Sequence, residues 1–166
     1  MASTTKTLDF KTDWEYSPAP ESTEHIHIEK KNNLFINGEF IPPVKGTYFE
    51  TINPANEEKL ADVAKAEQAD VDKAVKAARS AYDKVWSKMK PAERGKYIYR
   101  IARLIQERAR EFAVIESMDS GKPIRESRDI DIPLVSAHFF YYAGWADKLE
   151  YAFPGKQAKP IGVAGQ

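Results

Sequence analysis

The stretch from Gln68 to Met118 constrains this chain most, because apolar residues recur along it at helical spacing. Val71, Ala74, Val75, Ala78, Tyr82, Val85 and Trp86 follow the i, i+3, i+4, i+7 series of a helix with one buried face. Asp72, Lys73, Lys76, Arg79, Asp83 and Lys84 fill the wet face between them. A second helix is expected from Pro91, where the missing proline N–H costs nothing in a first turn. Its stripe is Ile98, Ile101, Ala102, Ile105, Ala109 and Phe112, widened by Tyr97, Leu104 and Ile115. The pattern stops at Asp119-Ser120-Gly121-Lys122-Pro123. Gly121 supplies the left-handed residue that commonly ends a helix, and Pro123 prevents a restart in register. The expectation is two long helices with a single break.

Extended structure precedes the helices. Leu34-Phe35-Ile36 and Glu39-Phe40-Ile41 flank Asn37-Gly38, the signal for a hairpin with a two-residue type I′ turn. Thr47 to Ile52 reads as a strand, Asn53-Pro54 as a turn, and Leu60 to Ala66 as a further strand. Residues 1–33 are rich in Ser, Thr, Lys, Glu and Pro and are expected to form a flexible extension. Trp14 and Tyr16 within it suit either docking on a partner or a mobile tail. His25 and His27 lie on one side of an extended segment and suit a metal, but no further ligand accompanies them.

After Pro123, residues 124–129 read as a short polar helix or loop. Asp131 is expected to cap a third long helix. Val135, Phe139, Tyr142, Ala146 and Leu149 form one apolar line on it. Ile130, Leu134, His138, Tyr141 and Trp145 form a second. A helix this greasy is expected to be wedged between layers, with Gly144 admitting a close backbone. Pro154-Gly155 marks a turn, and Pro160 to Gln166 resembles the opening of a buried strand.

Composition narrows function. With 25 basic and 25 acidic residues the formal net charge is zero, which argues against a nucleic-acid partner. Nothing approaches a membrane span of about 20 apolar residues, and Asp9, Asp13 and Glu15 argue against a mitochondrial presequence. The expected location is cytoplasmic. Cysteine is absent, so the 166 residues hold no thiol nucleophile and no thiolate metal site. Gly121-Lys122 is not a phosphate loop, because Pro123 stands where Ser or Thr is needed. Gly162 to Gly165 lacks the glycine spacing of a dinucleotide fingerprint.

From Leu34 onward the order of motifs resembles the N-terminal part of an NAD(P)-dependent aldehyde dehydrogenase. The matching pieces are Phe35-Ile36-Asn37-Gly38, Thr51-Ile52-Asn53-Pro54, Asp70-Val71-Asp72-Lys73-Ala74-Val75, Glu93-Arg94, Asp119-Ser120-Gly121-Lys122-Pro123, Tyr141-Tyr142-Ala143-Gly144-Trp145-Ala146 and Pro160-Ile161-Gly162-Val163. The resemblance implies an α/β fold. Residues 34–166 would form an incomplete segment of a Rossmann-like cofactor domain, mostly helical, with short N-terminal strands and one C-terminal strand. It implies oxidation of an aldehyde to a carboxylic acid with NAD or NADP by the complete enzyme. In that chemistry a cysteine thiolate attacks the carbonyl, the nicotinamide accepts hydride, and a base activates water. In the family the Pro-Trp-Asn motif, the cofactor-binding lysine and glycines, the glutamate base and the cysteine all follow the segment matched here. No catalytic or cofactor-binding residue is therefore carried over, and a fragment inactive alone, without tight NAD binding, is expected.

Two further roles are implied by the resemblance alone. Ile52 and Asp119 correspond to positions that hold a structural cation; the alternative is that Asp119 caps local N–H groups. Ile130, Leu134 and His138 correspond to the wall of the aldehyde tunnel, with core packing as the alternative for Ile130 and Leu134. The stretch between Lys148 and Pro160 is shorter than in many members, where it builds an oligomerisation strand, so the usual oligomer contact is in doubt. The expected partners are an aldehyde in a complete enzyme and a complementing C-terminal fragment. The competing reading is a non-catalytic helical binding or scaffold module.

Overall fold

The computed structural model describes residues 22–152 and Pro154. The strand expected at Pro160 and residues 1–21 of the extension lie outside the described residues.

Two small sheets precede the helices. In one, β1 (Lys31–Asn32) runs parallel to β5 (Lys59–Ala64), and β4 (Tyr48–Ile52) lies antiparallel on the other side of β5. The register pairs Tyr48 with Ala64 and Phe49 with Val63, and slips at Thr51/Ile52. β1 thus falls inside the stretch read as an extension. Its anchor is local: the Tyr48 hydroxyl donates to Asn33 Oδ1 at 2.7 Å, and Lys31 Nζ lies 4.0 Å from the centre of the Tyr48 ring.

The hairpin forms as expected from β2 (Leu34–Ile36) and β3 (Glu39–Ile41), pairing Phe35 with Phe40. Asn37 (φ 57°) and Gly38 (φ 85°) both take the positive φ of a type I′ turn. The loop after the hairpin is tied to α1 (Gln68–Lys84) through Asp70. That carboxylate is 1% exposed and accepts the N–H of Val44 at 3.0 Å and of Glu67 at 3.1 Å. A buried carboxylate is tolerable only when so held. Beyond this point the α1 stripe diverges from expectation. Val71 and Val75 are 46% and 42% exposed and face a groove of about 840 Å³ between α1 and the hairpin.

The second long helix is divided into α2 (Pro91–Glu107) and α3 (Ala109–Ser120). At Arg108 the backbone leaves helical geometry (φ −108°, ψ 18°). Its N–H still bonds Leu104 O at 3.1 Å, and its carbonyl accepts Phe112 N–H at 3.0 Å. No glycine or proline marks the break. The redirection buries Ala113 and Val114, so tertiary packing overrides an unbroken apolar period.

Beyond Gly121, α4 (Ile124–Glu126), a π-helical turn (Ser127–Asp131) and α5 (Ile132–Trp145) form one helical run, followed by α6 (Leu149–Ala152). Asp131 is therefore not a cap: it is itself helical and caps nothing. Pro133 explains the π turn, because it has no N–H to return to the preceding turn.

The core lies where α5 crosses α2, and small residues build it. Ala102 is 0% exposed, and the buried Ser136 hydroxyl donates to its carbonyl at 3.2 Å. The close approach expected at Gly144 occurs instead at Gly95. A Cβ on Gly95 would stand 3.0 Å from Ala143 O and 3.3 Å from Ala146 Cβ, whereas Gly144 faces open space. Tyr99 and Phe140 meet edge-on beside this seam at 4.9 Å. α5 is covered by α2 on one side, while Leu134, Tyr141 and Tyr142 stay exposed. No described helix is long and apolar enough to cross a membrane.

Gly95→Val should force α2 from α5 and cost about 1–3 kcal/mol, as overpacking does. Chemical denaturation against the parent chain measures this. Asp70→Ala, which strands the Val44 and Glu67 N–H groups, should cost about 1–3 kcal/mol by the same measurement.

Candidate functional site

The fold brings two motifs far apart in sequence to one corner. Thr51 at the end of β4 donates its hydroxyl to Asp119 Oδ1 in the last turn of α3. Gly121 then reverses the chain (φ 73°), returning its N–H to Ser117 O at 3.0 Å. A side chain on Gly121 would come within 3.3 Å of Pro54. Glycine is thus required twice at this position, for its φ and for the seating of the Asn53-Pro54 turn.

Lys122 holds the far side of the corner. Its ammonium donates to Asp131 Oδ2 at 2.6 Å and Glu116 Oε1 at 3.2 Å. The hydrogen bonds to Asp131 and then Glu116 raise its pKa above the ordinary lysine value. Beneath, the fully buried Ser127 receives the Ser117 hydroxyl at 3.3 Å. Asp131, expected as a cap, is in fact the partner of Lys122.

The residues singled out from sequence fall in separate places. Ile52 follows Thr51 at the corner and is 47% exposed. Asp119 is exposed there, and its carboxylate takes the Thr51 hydroxyl. Ile130, Leu134 and His138 lie along the π turn and α5. Ile130 is 58% and Leu134 50% exposed within this stretch of chain. The same exposed strip continues through Tyr141 to Trp145, whose rings stand 6.2 Å apart. His27 pairs with Glu29 at 3.2 Å on the surface. Among the described residues no three His, Cys, Asp or Glu side chains converge as metal ligands, and no buried side-chain N or O lacks a partner.

Sequence reasoning missed Lys122, Ser127 and Ser136 as structural keystones. The Gly-Lys-Pro context pointed at the glycine and hid the lysine beside it. The serines carry no periodic signal.

Chemically the corner is a scaffold. It holds hydroxyls, carboxylates and an ammonium that satisfy one another, and the base that Thr51 meets is a carboxylate rather than an imidazole or amine able to activate it. Because the folded Lys122 pKa is raised, its stabilising effect is full below the unfolded value and is lost as pH rises through the folded value. Lys122→Met should therefore lower the denaturation midpoint at neutral pH, and the gap should close in strongly alkaline solution. Urea titrations of both chains across that range check it.

A model of the aldehyde dehydrogenase family matches residues 40–166. The mitochondrial aldehyde dehydrogenase of Leishmania tarentolae is 41% identical over 157 residues, 89% of this chain and 30% of that protein. The mitochondrial benzaldehyde dehydrogenase of Antirrhinum majus is 40% identical over 144 residues, 81% of this chain and 27% of that one. The solved NAD+ complex of an aldehyde dehydrogenase from Bacillus cereus superposes with a TM-score of 0.69 at 45% identity, covering 71% of this chain and 24% of that one. The chain spans under a third of the length of these relatives. With a family match running from the hairpin's second strand to Gln166, and a fold shared at that identity, this chain belongs to the aldehyde dehydrogenase family.

Proposed function

We propose that the chain forms the N-terminal scaffold of an enzyme that oxidises an aldehyde to a carboxylic acid with NAD+ or NADP+, and that these 166 residues alone do not turn over. The carrying observation is family membership in a chain with no cysteine. The reaction needs a group that bonds the carbonyl carbon, and a hydroxyl replaces a thiolate only beside a base. None of the described hydroxyls stands against an imidazole or a neutral amine, the bases strong enough to take its proton. Thr51 donates to the Asp119 carboxylate, a far weaker base than an imidazole, Ser117 to Ser127 and Ser136 to a backbone carbonyl.

Exposed apolar surface supports the same reading. Phe40 is 73% exposed, Phe49 52% and Tyr142 62%, a load that marks surfaces meant to be covered. In this reading they are covered by a C-terminal polypeptide that brings the nucleophile, the base and the nicotinamide site. The exposed strip with Ile130, Leu134 and His138 would then border the aldehyde's path. Ile52 and Asp119 would flank a structural cation.

Purified chain incubated with NAD+ and a panel of aldehydes should produce no NADH by absorbance. Sustained production in a preparation cleared of host enzymes would overturn the proposal. The isolated chain should also bind a hydrophobic dye and melt broadly. A sharp two-state melt at monomeric mass would count against the uncovered surfaces.

A further inference from the structure

We propose that the Asn37–Gly38 turn is a site of spontaneous backbone modification: Asn37 is converted to aspartate and isoaspartate, and the hairpin is undone. The argument begins with the five asparagines. Four have their side chains held. Asn32 Nδ2 donates to Glu29 O at 3.1 Å, and Asn33 Oδ1 accepts from the Tyr48 hydroxyl at 2.7 Å. Asn53 Oδ1 accepts Ala55 N–H at 3.0 Å. Asn56 binds Glu58 twice, at 2.8 Å and 3.1 Å. The amide of Asn37 has no such partner among the described residues, and the residue is exposed.

Its neighbour completes the case. Cyclisation needs the next residue's N–H, free and unshielded. Asn53 precedes Pro54, which has none. Asn37 precedes glycine, whose missing side chain leaves the amide open; even an added Cβ there would meet nothing within 4 Å. Ile36 and Glu39 close the ladder, so Gly38 N–H lies outside it. The hairpin has only two strands, a form marginally stable by itself, so local opening gives Asn37 access to reactive geometry.

The chemistry is an intramolecular acyl transfer. Base removes the Gly38 amide proton, and that nitrogen bonds Asn37 Cγ. The Cγ–Nδ2 bond breaks and ammonia leaves, giving a five-membered imide. Water opens either carbonyl. One product is aspartate in the normal chain; the other carries the main chain through Cβ. No oxidant or cofactor takes part. The second product lengthens a turn whose two residues set the Leu34–Ile41 register, so Phe35 and Phe40, now 4.9 Å apart, lose their pairing. The groove wall against α1 goes with them.

The test ages the native 166-residue chain in mildly alkaline buffer and maps amide-to-acid conversion by peptide mass spectrometry, with isoaspartate scored separately. Asn37 should convert at least about tenfold faster than Asn56, as expected when the attacking group is unhindered and already adjacent. Asn37→Gly should keep the turn and abolish the signal at that peptide. Conversion at Asn37 no faster than at Asn56 in the native chain overturns the proposal. If Asn37 reacts readily in urea only, the folded turn protects it, which overturns the proposal as well.

Discussion

Everything in the helical part rests on how closely two helices approach where their side chains nearly vanish. Gly95 sits against the Ala143 carbonyl, Ala146 lies beside it, and Ala102 offers its own carbonyl to Ser136. Close packing at a short interaxial distance maximises dispersion contacts, and any added atom must push the backbones apart. The larger aromatic residues sit around this seam. Tyr99 and Phe140 flank it, and they can do so only because the helices are already that near.

The sequence shows what local chemistry dictates and hides what distant contacts decide. Asn37-Gly38 admits one turn type, and the hairpin follows. Pro91 and Gly121 bracket helical structure for reasons internal to their own residues. The break at Arg108 has no such local cause, so an unbroken apolar period conceals it. Asp131 looks like a cap because an acidic residue precedes an apolar run; Pro133 and Lys122 give it another role. The core escapes apolar periodicity for a related reason. Apolar periodicity draws attention to Val71, Ile101 and Leu104, which remain exposed, while the buried set is largely alanine, glycine and serine.

The corner joining β4 to α3 shows how a family motif earns its spelling. Thr51-Ile52-Asn53-Pro54 and Asp119-Ser120-Gly121-Lys122-Pro123 read as separate turns until Thr51 meets Asp119 and Pro54 meets Gly121. Each residue then has a reason of its own: a hydroxyl for a carboxylate, a ring against a bare backbone, an ammonium between two acids. The candidate tunnel residues have no such reciprocal partners within the described chain. Their assignment was legible only through resemblance.

Asp70 has a mechanical corollary. α1 is gripped firmly at its first turn, where that carboxylate fastens the loop after the hairpin, and little else restrains its flank. Just past its last turn Trp86 lies 5.8 Å from the ring of Tyr97 on α2, so the helix behaves as a beam held at both ends, whose freedom is to roll about its own axis. Whatever surface later closes over Val71 and Val75 would fix that roll.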